Sequence, residues 1–129
     1  MRNQKKGITR HSGEKRNNAD LRVIIFEKAD CYRTDYSHSN FEGLNMRAAK
    51  FKSSNFTGAN LRQTNLTGVN FKGSNLSKAD LTGAVLKSCV LEGANFKDAI
   101  ITGADFSNSN VSKAKNLNID TVSKTIDDE

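Results

Sequence analysis

The chain has 129 residues, which suits one domain and is short for two. Lys and Arg outnumber Asp and Glu by 20 to 14, a net charge of +6, and only 36% of residues are hydrophobic, close to the composition of disordered chains. No apolar run approaches the ~18–20 residues of a membrane span, and no charged start with an apolar core and cleavage site reads as a secretory signal, so no membrane association is expected.

Residues 1–18 come first. They carry Arg2, Lys5, Lys6, Arg10, Lys15 and Arg16 against Glu14, with little apolar beyond Met1 and Ile8. Such a segment lacks the material to fold alone and reads as a basic, flexible arm. Its six cations are candidate contacts for nucleic acid.

A period of five follows. From Leu21 to Val111 every fifth residue is apolar or weakly polar, nineteen in succession without an insertion. Two residues before each large position lies a second register, small almost throughout, from Ala19 to Ser109. Between them sits mostly Asn or Asp, as at Asn55, Asn60, Asn65, Asn70 and Asn75. Two residues after the large position glycine recurs, for example at Gly43, Gly58, Gly68 and Gly83. A helix cannot use this pattern, because five steps of about 100° spray the large side chains around the cylinder. A flat strand fails as well, since an odd period flips each one to the opposite face. The chain must turn a corner in every unit. Asn and Asp tolerate left-handed backbone and glycine supplies positive φ, so both are read as turn residues.

Units such as Ala59-Asn60-Leu61-Arg62-Gln63 and Ala79-Asp80-Leu81-Thr82-Gly83 resemble the pentapeptide-repeat family, and the resemblance covers residues 19–113. It implies an all-β fold, a right-handed quadrilateral β-helix with four units per coil. Nineteen units then make nearly five coils, roughly 23 Å long at ~4.8 Å per layer. Residues twenty apart would stack, as in Leu21-Phe41-Leu61-Leu81-Ile101. Cys31 and Cys89 would both point inward on the third side, about three layers or ~14 Å apart, beyond the ~7 Å reach of a disulfide. Two free buried thiols fit a reducing compartment, and with the resemblance they give the expectation of a bacterial, cytoplasmic protein.

No constellation for catalysis stands out. His11 and His38 lie in different regions, and no Cys/His cluster has zinc spacing. Neither a phosphate-binding glycine loop nor a nucleophile elbow is present, and carboxylates occur singly. The chain is therefore expected to be no enzyme and to use no cofactor or metal. Two surface features remain. Folding the repeat in twenties puts Arg33, Lys50, Lys52, Lys72 and Lys113 along the third side, a candidate basic stripe interrupted by Glu92. Val85, Val90 and Ile100 occupy the outward register that is otherwise Asn or Asp, with Ile25 as the other outlier. They form a candidate interface near the C-terminal end, for another protein or for a second copy in a homodimer.

Past Val111 the phase breaks, with Asn116 in a large position. Residues 114–129 carry Ile119, Val122 and Ile126 at helical spacing and end acidic, which predicts a short helical or turn cap over the last coil. The function expected is that of a non-catalytic, rigid scaffold for another protein. One alternative comes from the resemblance: the family includes proteins that resemble duplex DNA and protect DNA gyrase from quinolones. Those are acidic and often carry loops, whereas this chain is basic and loop-free. The other alternative is nucleic-acid binding through the arm.

Overall fold

The structure is a computed structural model that describes residues 13–22 and 24–118. Its backbone is a four-sided coil. Parallel bridges join residues twenty apart, and four ladders of them run the length of the rod. Ladder 1 is Asp20-Asn40-Asn60-Asp80-Ile100, and ladder 2 is Asn45-Asn65-Val85-Asp105. Ladder 3 is Asp30-Lys50-Asn70-Val90, and ladder 4 runs from Lys15 through Asp35, Asn55, Asn75 and Asn95 to Lys115. We number the faces after these ladders.

Each rung follows one rule. The N–H of a large residue donates to the carbonyl of the middle residue nineteen further on, as Leu61 does to Asp80 at 2.8 Å. The N–H of a middle residue donates to the small residue of the coil before, as Asn60 does to Ser39 at 2.9 Å. Strand-type pairing thus satisfies the backbone although no face holds more than one bridging residue per coil.

The large register fills the tube. Phe26, Tyr36, Phe41, Phe51, Phe56, Leu61 and Leu66 are fully buried. Aromatic rings in one column stack, Tyr36 on Phe56 at 5.1 Å and Phe51 on Phe71 at 5.8 Å. Rings from neighbouring columns meet edge to face, Phe51 against Phe56 at 4.9 Å. Both arrangements suit the ring quadrupole.

The turns differ from the expectation in one respect. Asn and Asp of the middle register are not left-handed. Their side-chain oxygen instead accepts the N–H two residues on, as Asn55 does from Thr57 at 3.0 Å and Asn70 from Lys72 at 2.9 Å. The left-handed residue is the one after that, for example Lys28, His38 and Gln63 as well as the glycines. The carboxamide therefore braces the corner while the next but two residues supplies the bend.

The ladder begins inside the segment that composition assigns to the arm. Lys15 bridges Asp35, and the Gly13 N–H donates to Tyr32. Arg2, Lys5, Lys6 and Arg10 lie outside the described residues, as do Ile119, Val122 and Ile126 of the expected cap. At the other end a 3-10 helix, Val111–Lys113, swings the chain out before it rejoins face 4 at Lys115. Ala114 and Leu117 pack against the core there.

Candidate interaction surfaces

The corners and middle positions carry every outward side chain, so any surface is a lattice with steps of five around the rod and twenty along it. Val85, Val90 and Ile100 do not share a face. Val85 is half-buried on face 2, Val90 is 45% exposed on face 3, and Ile100 is 48% exposed on face 1. Faces 1 and 3 are opposite sides of the tube. The expected single patch is therefore three separate apolar points, because residues five apart are a quarter-turn apart. Ile25, 37% exposed, belongs to the first coil.

The basic stripe does assemble on one edge. The Arg33 N–H donates to the Lys52 carbonyl and the Ser53 N–H to that of Lys72, so the three cations occupy successive layers of the corner after face 3. Lys50 stands beside them on face 3, and Lys113 lies in the 3-10 turn beyond. Carboxylates interrupt the stripe: Lys50 is 3.7 Å from Asp30, and Lys72 is 3.8 Å from Glu92. Among the described residues Arg33, Lys52 and Lys113 have no carboxylate within 4.0 Å. Tyr32, Arg33, Lys52, Ser53 and Asn70 line a concavity of about 320 Å³. Of the arm, Lys15 starts ladder 4 and Arg16 pairs with Glu14 at 2.8 Å.

A second concavity of about 320 Å³ lies where face 3 opens, bordered by Cys89, Val90, Leu91, Asn110 and Lys113. Val90 bridges Asn70 below it, and among the described residues has no bridge to Asn110 above. The Ser109 hydroxyl still ties the two layers beside it, accepting the Cys89 N–H at 2.8 Å and donating to the Leu86 carbonyl.

That hydroxyl belongs to a device that apolar patterning does not reveal. Ser54 Oγ accepts the Thr34 N–H at 3.0 Å and donates to the Cys31 carbonyl at 2.7 Å. Ser39 does the same for Ala19 and Arg16, and the Cys89 Sγ donates to Leu66. Polar side chains in the small register thus pin one coil to the coil before it.

Local electrostatics follow these contacts. The Arg22 side chain and then its N–H lower the Asp20 carboxyl to about 2. Asp35 is lowered by the backbone N–H and hydroxyl of Ser37. Burial works against ionisation of Asp80, but Thr82 and Arg62 outweigh it and its pKa falls. Burial pushes the Cys31 thiol up to about 11 and the Cys89 thiol to about 12. Both cysteines are buried and free, three layers apart, and neither is an activated nucleophile. Among the described residues no group of three or more His, Cys, Asp or Glu is placed to hold a metal ion.

The sequence pattern of the family described as pentapeptide repeats matches in eight copies, over residues 24–63, 45–83 and 79–115. No curated protein matches. Among solved structures the chain is similar to a pentapeptide repeat protein from the thylakoid lumen of Arabidopsis thaliana, at 30% identity and a TM-score of 0.67, covering 84% of this chain and 71% of that one. It is also similar to HetL, a pentapeptide repeat protein involved in heterocyst differentiation regulation in the cyanobacterium Nostoc sp. strain PCC 7120. That likeness is 20% identical with a TM-score of 0.46, covering 80% of this chain and 57% of HetL. QnrB1, a plasmid-mediated fluoroquinolone resistance protein, matches at 19% identity and a TM-score of 0.38, covering 92% of this chain and 87% of that one.

Proposed function

Since the chain belongs to the pentapeptide-repeat family and has its right-handed quadrilateral β-helix, we propose that it is a non-catalytic rigid scaffold whose flat faces dock another protein. One observation carries the reading: the outward middle register holds exposed Val90 and Ile100 at the C-terminal ends of bridged ladders. Apolar side chains in a register made mostly of Asn and Asp gain nothing in water and gain contact area against a partner. A rod with its backbone already ordered also loses little entropy on binding. The reading includes a cytoplasmic setting, in keeping with two buried free thiols, and pairing of two copies through the C-terminal end as one form of docking.

The test uses tagged protein and its Val90→Asp and Ile100→Asp variants, matched for melting temperature, to retain proteins from extract of the native host. A specific protein held by the parent and lost with at least one variant is expected. Equal retention by all three, or none by any, overturns the reading. Sedimentation velocity of the parent and Ile100→Asp reports any pairing of copies. Protection of DNA gyrase from a quinolone in a supercoiling assay would favour the gyrase-directed alternative instead.

A further inference from the structure

The edge between faces 3 and 4 combines unneutralised cations with a recess. Elsewhere on the rod the arginines are answered by carboxylates: Arg22 by Asp20, Arg47 by Glu27, and Arg62 by Asp80. On this edge Lys50 and Lys72 are answered too, by Asp30 and Glu92. Arg33 and Lys52, on adjoining layers, are not. They line the same concavity of about 320 Å³. The other polar groups in it are donors as well. The Asn70 carboxamide oxygen is taken by the Lys72 N–H, which leaves its NH₂ group to donate. Ser53 contributes a hydroxyl, which lies over Gly73, where a Cβ would come within 3.4 Å of it. Tyr32 forms a wall.

A recess lined by a guanidinium, an ammonium, a hydroxyl and an amide NH₂, with no carboxylate among its lining residues, selects an anion rich in acceptor oxygens. The planar fork of arginine matches two oxygens of a tetrahedral phosphoryl group, and lysine adds a point charge. We propose that Arg33, Lys52, Ser53 and Asn70 form a binding site for a single phosphoryl group. The site lies at the edge of face 3, one layer from Val90, and uses polar side chains rather than the apolar docking residues.

The test is calorimetric titration of the full chain with inorganic phosphate and, separately, with O-phosphoserine. Saturable binding is expected. Replacing both cations, Arg33→Gln with Lys52→Gln, weakens it about tenfold or more, through loss of two charge-assisted contacts. Glutamine is tolerated at the left-handed Arg33 position, since Gln63 holds the same register at φ 58°. The control, Lys78→Gln with Lys97→Gln, removes the same charge from the corner after face 4 and leaves binding unchanged. Tighter binding of O-phosphoserine assigns the ester form, and equal binding assigns the free anion. Equal weakening by both double variants overturns the site in favour of bulk charge. Absence of saturable binding of either probe overturns it too.

Discussion

From Phe26 to Phe106 the backbone two residues beyond each large side chain is left-handed, with φ between 51° and 75°, whether or not that residue is glycine. A Cβ in this region costs about 1–2 kcal/mol. The glycines are therefore placed by backbone need, but some meet a second demand. A Cβ on Gly58 would lie 2.5 Å from Nδ1 of His38, whose ring lies across it, while one on Gly43 would meet nothing within 4 Å. Gly43→Ala should thus lose about 1 kcal/mol, the backbone cost alone. Gly58→Ala should lose more and shift the His38 imidazole resonances. Chemical denaturation of the two variants, with imidazole NMR, checks this; equal losses would mean the ring moves aside at no cost.

At the scale of one coil, stability rests on links reaching about twenty residues. Backbone rungs supply most of them and buried hydroxyls supply the rest. Ser54→Ala removes one acceptor and one donor at once, leaving the Thr34 N–H and the Cys31 carbonyl without the hydroxyl that joins them. The loss should be about 1–3 kcal/mol, the cost of a buried unsatisfied polar group. Urea denaturation measures it, and a change within about 0.3 kcal/mol would show that water or backbone replaces the hydroxyl. The sequence marks Ser39, Ser54, Ser74 and Ser109 only as small residues in a small register. Their partners lie 20 and 23 residues earlier, so the pairing is invisible until the coil length is known. The ends of the repeat were hidden for a related reason. Arg16 and Asn116 stand where large apolar residues are expected, yet Lys15 and Lys115 beside them still bridge the neighbouring coil. Backbone pairing outlasts the apolar pattern because it needs no particular side chain.

For the whole molecule, the tube is dry enough to hold three weak acids neutral. The folded thiols of Cys31 and Cys89 are raised to about 11 and about 12 by burial, and burial likewise raises the Tyr36 hydroxyl. Unfolding lets each ionise at its ordinary value. Their contribution to stability is therefore complete below about pH 9 and is lost as pH rises toward the folded values, by up to about 1.4 kcal/mol per pH unit for each group. Urea midpoints should be level from pH 7 to 8.5 and fall from pH 9 to 11, less steeply in Cys89→Ala. A level profile to pH 11 would show water reaching these groups. The charge has its own distribution: residues 1–18 carry a net +5, residues 19–113 a net +3, and residues 114–129 a net −2. Among the described residues of the rod, Lys28, Lys78 and Lys97 also go unanswered, but on the edge after face 3 two unanswered cations, Arg33 and Lys52, share one recess.

The five-residue period by itself determined that the chain turns a corner in every unit, which register faces inward, and that both cysteines lie in inward registers. Those are consequences of local geometry repeated nineteen times. Only the tertiary structure decided which outward residues are neighbours. It separated Val85, Val90 and Ile100 onto three faces and set Tyr32, Ser53 and Asn70 around Arg33 and Lys52, which the repeat folded in twenties had already aligned, to form one recess. The reason is that side-chain neighbours on this rod are about twenty residues apart, so proximity along the chain places residues around the tube while proximity on a face comes from the stacking of coils.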